Sequence, residues 1–142
     1  MGGEPELANY KDVCTGHSGH AEVVQITYDE DQVDMEELLD VFWVVHNPTT
    51  LNQQGADKGT QYRSVIYYAN DEEKKIIDES FNKIQKSFDD PIVTEVSPLD
   101  EYYVAEDYHQ SYFKNNPNQG YCQAVVAPKV QKLKINFVDM LK

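Results

Sequence analysis

The chain has 142 residues, of which 40% are hydrophobic and 11% aromatic, and its formal net charge is −13. This length and composition predict a single folded domain over residues 1–142 and exclude wholesale disorder, and the negative charge disfavours nucleic acid as a partner. No apolar run approaches the roughly 20 residues that cross a bilayer, and no signal-peptide pattern opens the chain, so we expect no membrane partner and a cytoplasmic location.

The first third of the chain predicts a loop, a strand and a helix. Glycine and proline mark Met1–Leu7 as a loop. Alternating apolar residues over His20–Tyr28 predict a strand. Asp34 is a suitable N-cap, and Glu37 completes a capping box for a helix over Met35–His46. The residues expected to be buried in the first strand are Ala21, Val23 or Val24, Ile26 and Tyr28.

The rest of the chain alternates strands and helices around long polar loops. This order predicts an α/β or α+β fold. The predicted elements are a loop over Thr49–Gln61, a strand over Ser64–Tyr68, a helix capped by Asn70 or Asp71 and running to about Phe88, a strand over Ile92–Val96, a loop leading into a short helix over Tyr102–Lys114, and a tail over Val125–Lys142 with a final helix.

Two cysteines, Cys14 and Cys122, are widely separated in a chain without an export signal, so they do not form a disulfide framework. Free thiols, a redox pair and core residues are the three alternatives. Cys14, His17 and His20 carry zinc-binding side chains, but their spacing fits no standard finger and lacks a fourth ligand. We therefore expect no metal, a small buried Cys14 and surface histidines.

Four short segments carry a resemblance to a known family. They are Tyr10–Glu22, which contains Gly-His-Ala-Glu, Gln54–Ser64, which contains Asp-Lys-Gly-Thr-Gln-Tyr-Arg, Ala105–Gln110, and Asn116–Cys122, which ends in Gly-Tyr-Cys. Together they resemble the A-type peptide methionine sulfoxide reductases, which reduce the S-epimer of methionine sulfoxide. The resemblance runs from Met1 to about Phe137.

The resemblance implies a ferredoxin-like split β-α-β core surrounded by long loops. In the family, the reactive cysteine lies in a Gly-Cys-Phe-Trp segment ahead of the four segments, and this sequence contains no such segment. The expectation is therefore an N-terminally truncated domain whose first strand-helix unit is missing. An exposed central-strand edge invites pairing with another chain, which predicts a dimer through that edge.

Roles for individual residues also follow from the resemblance. Glu22 would be the acid that protonates the sulfoxide oxygen, a task that needs a carboxyl kept neutral by burial. Tyr10, Asp57 and Tyr62 would hold that oxygen in the substrate-binding site. Cys122 would be the resolving thiol, with a plain structural role as the alternative. The groups expected to order the surrounding loops are Glu106, Asp107 and His109.

The predicted activity is the reduction of protein-bound or free methionine S-sulfoxide to methionine by thiol chemistry, a protein-repair reaction of oxidative stress. Thioredoxin or another dithiol would be the reductant, and no further cofactor is expected. The alternative is a catalytically inactive remnant that acts as a binding or pairing module.

Overall fold

The structure is a computed structural model that describes residues 1–141. Helices and short strands are mixed along the chain, which confirms the predicted α/β class. Among the described residues, no helix is both long and apolar enough to cross a membrane. The helices are α1 Tyr10–Val13, α2 Met35–Val45, α3 Asp71–Ile84, α4 Tyr112–Asn115 and α5 Ala127–Asn136, and the strands are β1 Gln53–Gln54, β2 Asp57–Lys58, β3 Val65–Tyr68 and β4 Glu95–Pro98.

Helix α2 begins at a reciprocal capping box. The Glu37 N–H donates to Asp34 Oδ1 at 2.8 Å, and the Asp34 N–H donates to Glu37 Oε2 at 3.1 Å. Both amides would otherwise lack an intrahelical partner. The helix ends at Val45 because His46 takes extended dihedral angles, φ −133° and ψ 177°. The predicted helix is thus confirmed to within one residue.

A parallel β3-α3-β4 unit forms the centre of the fold. Val65 lies opposite Glu95, and Tyr68 lies opposite Pro98. Asn70 caps α3 by accepting the Glu73 N–H at 2.9 Å. The helix was predicted to run to about Phe88, but its last turn tightens into a 3-10 helix over Gln85–Ser87.

The predicted strand over Ile92–Val96 was wrong in its boundaries, because pairing with β3 covers Glu95–Pro98. Two amides explain the shift. The Ile92 N–H donates to Gln85 Oε1 at 2.8 Å, and the Val93 N–H donates to the Pro48 carbonyl at 2.9 Å. Amides committed to these partners are not available to a sheet ladder.

The hydrophobic core lies where α2 and α3 pack over the two-stranded sheet. Trp43 is 2% exposed and donates its indole N–H to Ser80 Oγ at 2.9 Å, so its polar atom is satisfied inside the core. Partly buried apolar side chains from both helices and both strands surround the centre. The buried residues of this cluster are Leu39, Trp43, Ile77 and Ile92.

The predicted strand over His20–Tyr28 does not form in the described structure. Its backbone is held only at its start, where the Ala21 N–H donates to the Met1 carbonyl at 2.9 Å. Ala21 is buried as expected, but Val24 is 84% exposed and Ile26 is 59% exposed. An alternating sequence becomes a strand only beside another strand that completes the ladder, and residues 23–28 have no such neighbour among the described residues.

Two short elements had no clear sequence signal. Helix α1 lies inside the first motif segment and is capped by Asn9, which accepts the Asp12 N–H. Strands β1 and β2 form an antiparallel hairpin inside the predicted loop over Thr49–Gln61.

The predicted final helix is present as α5, and a π-helix over Cys122–Val126 precedes it. The last residue of the predicted tail, Lys142, lies outside the described residues.

Candidate active site

The loop before Glu22 is anchored by a buried histidine. His20 is 2% exposed, its Nδ1 accepts the Gly3 N–H at 3.2 Å, and its Nε2 lies 2.9 Å from the Glu4 carbonyl. Because a carbonyl only accepts, Nε2 carries the hydrogen and the ring is neutral. The expectation of a surface His20 was therefore wrong. Cys14, expected to be buried, is exposed, whereas His17 is exposed as predicted.

Glu22 lies against the loop of the second motif segment, Gln54–Ser64. Its N–H donates to the Gln61 carbonyl at 2.9 Å, which brings its side chain beside Asp57. Glu22 is an exposed residue and not the buried acid that its predicted role needs, but desolvation of its carboxyl is the largest influence on it and raises its pKa above the ordinary value; the His109 ring opposes this rise, and Asp57 adds to it. Glu22 therefore keeps its proton to higher pH than an ordinary glutamate.

Tyr10 begins α1 and reaches the same cluster. Its N–H donates to Glu106 Oε1 at 3.0 Å, and its ring centroid lies 4.4 Å from that of His109. The neighbouring Cys14 thiol is the main cause that raises the pKa of Tyr10 to about 12, with smaller contributions from Tyr62 and Glu22. The hydroxyl thus stays protonated at neutral pH and remains a hydrogen-bond donor.

The loop over residues 57–62 is fixed to the first motif segment. Thr60 Oγ1 donates to the Gly16 carbonyl at 2.8 Å. Gly59 has φ 144°, a backbone conformation that residues with a Cβ rarely adopt, so glycine is favoured at this position. Tyr62 closes this loop, and partial burial, followed by the charges of Glu22 and Asp57, raises its pKa.

Arg63 has a structural role. Its Nε donates to Glu95 Oε2 at 2.9 Å, and its other nitrogens donate to the carbonyls of Thr60 and Gly19. The guanidinium therefore joins the site loop, the Gly-His-Ala-Glu segment and β4.

The C-terminal tail adds a residue that the sequence interpretation missed. The Tyr121 hydroxyl donates to Asp57 Oδ2 at 3.0 Å, and desolvation together with that carboxylate raises the pKa of Tyr121 to about 12. The adjacent Cys122 is fully buried. The available signal was the position of Tyr121 inside the Gly-Tyr-Cys motif, where only the cysteine was singled out.

The residues expected to order the loops differ in their contacts. Glu106 accepts the Tyr10 N–H, and that bond lowers its pKa. His109 packs between the rings of Tyr10 and Tyr108. Asp107 is exposed and starts a 3-10 helix, in which its carbonyl accepts the Gln110 N–H.

An open cleft of about 440 Å³ lies beside this cluster and is lined in part by Tyr10, Glu22 and His109. The Asp57 charge acts on Glu22, and the Glu22 charge acts on the hydroxyls of Tyr62 and Tyr121. Asp57, Tyr62 and Tyr121 do not line the cleft. The structure therefore brings Tyr10, Glu22, Asp57 and Tyr62 together, with Tyr121 as an addition. Within residues 1–141, no group of three or more His, Cys, Asp or Glu side chains has the arrangement of a metal site.

Protonated phenols beside a carboxyl of raised pKa form a site that can donate hydrogen bonds and a proton to one polar oxygen.

The family model described as peptide methionine sulfoxide reductase matches residues 1–140 of this chain. The chain is 53% identical over 142 residues to peptide methionine sulfoxide reductase MsrA 1 of Rhodopirellula baltica, covering 100% of this chain and 74% of the relative. It is 54% identical over 139 residues to MsrA of a Psychrobacter species, covering 96% and 79% of the two chains.

Solved structures agree with these sequence matches. Reduced Mxr1 from Saccharomyces cerevisiae superposes with a TM-score of 0.81 at 37% identity, covering 84% of this chain and 70% of that one. Methionine sulfoxide reductase A of Corynebacterium diphtheriae superposes with a TM-score of 0.72 at 37% identity, covering 84% and 62%. The chain therefore belongs to the peptide methionine sulfoxide reductase A family.

Proposed function

We propose that this chain binds the sulfoxide group of methionine S-sulfoxide, free or within a protein, and protonates its oxygen during reduction to methionine. The observation that carries the proposal is the proximity of Glu22, with its raised pKa, to the protonated hydroxyls of Tyr10 and Tyr62. Phenol donors would bind the oxygen, and Glu22 would transfer the proton.

Protonation is the chemical difficulty that such a site addresses. The sulfoxide oxygen is a poor leaving group until it gains a proton, and a carboxylic acid near its pKa is an effective donor. Desolvation of the carboxyl and the nearby Asp57 charge keep Glu22 protonated to higher pH, and the tyrosines would hold the oxygen in a fixed position. Asp57 would accept a hydrogen bond from a donor in the site, as it accepts one from the Tyr121 hydroxyl.

The proposed reaction has two thiol steps and a final reduction. A thiolate attacks the sulfoxide sulfur, the oxygen gains a proton and passes to the thiol sulfur as a sulfenic acid, and methionine leaves. A second thiol then displaces water from the sulfenic acid and forms a disulfide, which a dithiol such as thioredoxin reduces. We assign Cys122 to the second step. The setting would be protein repair under oxidative stress in the cytoplasm.

Pairing with a second chain is a further part of the proposal. It is supported by residues 23–28, which present Val24 and Ile26 to solvent beside a backbone without a sheet neighbour in the described structure. An exposed segment with alternating apolar residues and an unpaired backbone can pair with a strand of another chain.

The first experiment measures binding, because binding does not require a reactive thiol. The S- and R-epimers of a methyl-labelled N-acetylmethionine sulfoxide are titrated into the protein, and the methyl resonance is followed by NMR. We expect the S-epimer to bind. Tyr62→Phe should weaken its affinity about tenfold, because the substitution removes one well-placed hydrogen-bond donor. Equal response to both epimers, or no response to either, would contradict the proposal.

The second experiment measures turnover with dithiothreitol, which bypasses any resolving thiol. Turnover that Glu22→Gln abolishes supports the assigned acid. If Cys14→Ser also abolishes it, Cys14 is the attacking thiol. Binding without turnover by the parent chain would leave the inactive binding module as its function.

A further inference from the structure

The C-terminal tail meets the site through one side chain. Within residues 1–141, the Tyr121 hydroxyl bond to Asp57 at 3.0 Å links residues 117–126 to the site loop. The other side-chain bonds of this segment stay local: Tyr112 donates to Gln119, and Gln123 donates to the Pro117 carbonyl. Contact with the site loop through a hydrogen bond thus depends on Tyr121.

The residue after Tyr121 is enclosed. Tyr121 is 48% exposed, whereas Cys122 is 0% exposed. Cys122 starts the π-helix that continues into α5, and α5 packs against α2. The tail is therefore anchored on α2 after Cys122 and on Asp57 directly before it.

The hydrogen bond between Tyr121 and Asp57 persists over the neutral pH range. Asp57 accepts it as a carboxylate, and the phenol stays protonated because desolvation and the Asp57 charge raise the pKa of Tyr121 to about 12. A hydrogen bond to a charged acceptor is stronger than one between neutral groups. Because Tyr121 is half exposed, its contribution is that of a surface hydrogen bond and not of a buried one.

We propose that Tyr121 is a positioning residue whose bond to Asp57 keeps Cys122 buried, so that breaking the bond exposes the thiol. The proposed function gives this exposure its use, since Asp57 belongs to the assigned sulfoxide site and Cys122 is the assigned resolving thiol. A donor that takes the Asp57 carboxylate would displace Tyr121 and release the thiol from its enclosed position.

The test follows the reactivity of Cys122 and needs no sulfoxide, so its result does not depend on binding or turnover. In a Cys14→Ser background, Cys122 is the remaining thiol. Its thiolate attacks one sulfur of the disulfide reagent dithiobis(nitrobenzoate), and the S–S bond of the reagent breaks. Cys122 then carries a mixed disulfide, and one coloured thionitrobenzoate leaves with the electron pair. We expect Tyr121→Phe to raise the labelling rate about three- to tenfold, the effect of one exposed hydrogen bond.

A double-mutant cycle identifies the partner. Asp57→Ala is expected to raise the rate by the same factor, and the double variant is expected to label no faster than either single variant. Tyr103→Phe is the matched control, because it removes a tyrosine bond to a carboxylate, Glu101 at 2.7 Å, away from the tail. Its labelling rate should equal that of the parent.

Three results would overturn the proposal. The first is an unchanged rate in Tyr121→Phe, and the second is multiplication of the two single effects in the double variant. The third is a steep rise of the labelling rate with low urea concentrations, since this shows that global unfolding, not local release of the tail, exposes Cys122.

Discussion

His46 and Ser64 form a hydrogen bond, with 2.7 Å between Nε2 and Oγ, that ties the end of α2 to the residue before β3. The His46 Nδ1 lies 2.5 Å from the Phe42 carbonyl and therefore donates to it, which leaves Nε2 to accept from Ser64. The Ser64 hydroxyl oxygen lies 2.8 Å from Thr94 Oγ1. Because Ser64 follows Tyr62 by two residues, this chain of bonds fixes the site loop to the core.

The first prediction concerns the pH dependence that His46 causes. Burial is the main reason that its pKa lies below 6.5, and Lys129 and Lys132 lower it further. The unfolded chain thus binds a proton that the folded chain does not, so this stabilisation is present above pH 6.5 and is lost as pH falls through the folded pKa. His46→Gln should cost about 1–3 kcal/mol at neutral pH, and less in acid.

Thermal unfolding at about pH 7.5 and about pH 5 tests this sign. The difference in Tm between the parent and His46→Gln should shrink in acid. A difference that is constant, or larger in acid, would show that protonation of His46 does not limit stability. His17→Gln is the control, since His17 is exposed.

The second prediction has the opposite sign, because it concerns an acid of raised pKa. The stabilisation linked to the Glu22 proton is full below its unfolded pKa of about 4.5 and is lost as pH rises through the folded pKa. Glu22→Gln should therefore melt at a higher temperature than the parent at pH 7 and at the same temperature near pH 4. Differential scanning calorimetry measures both, with Glu30→Gln as an exposed control that should show no such pH-dependent gap.

The third prediction tests the core. Ile77 is 0% exposed and packs in the cluster with Leu39 and Trp43, so Ile77→Ala leaves a cavity that should cost about 2–5 kcal/mol of unfolding free energy. Ile135 is 68% exposed, and Ile135→Ala should change stability by less than about 0.5 kcal/mol. Urea unfolding of both variants gives the comparison. Equal effects would contradict the assigned core.

The fourth prediction concerns the exposed segment 23–28. Val24→Lys replaces an 84% exposed apolar side chain with a charge that opposes strand pairing. Sedimentation velocity should show less self-association in this variant than in the parent. Val138→Lys is the matched control at a 64% exposed valine elsewhere and should leave association unchanged. A monomeric parent at every concentration would remove the dimer from the proposal.

Local signals predicted the elements that local interactions decide. Asp34 and Glu37 identified the start of α2, and Asn70 identified the start of α3, because a cap and its helix are neighbours in sequence. The strand over His20–Tyr28 failed for the opposite reason. Its pattern is suitable, but a strand needs a neighbour, and no property of the segment itself shows whether one is present.

The candidate site shows the same division. The motif segments named Tyr10, Glu22, Asp57 and Tyr62, and the structure brings them together. The Tyr121 contact with Asp57 joins positions that are 64 residues apart. The path of the tail over α2 decides that contact, and no local pattern encodes this path. The catalytic roles of the four motif residues remain predictions from the resemblance.

The parallel pairing of β3 and β4 has a consequence for how the chain assembles. Both strands and the connecting α3 lie within residues 65–98, so this unit closes through one short crossover. Contacts of low sequence separation form early, whereas those that join Tyr10 to Glu106 or Asp57 to Tyr121 must wait for distant segments to meet. Folding should thus be fastest at the centre, and the loops of the candidate site should be the last part of the molecule to acquire their native arrangement.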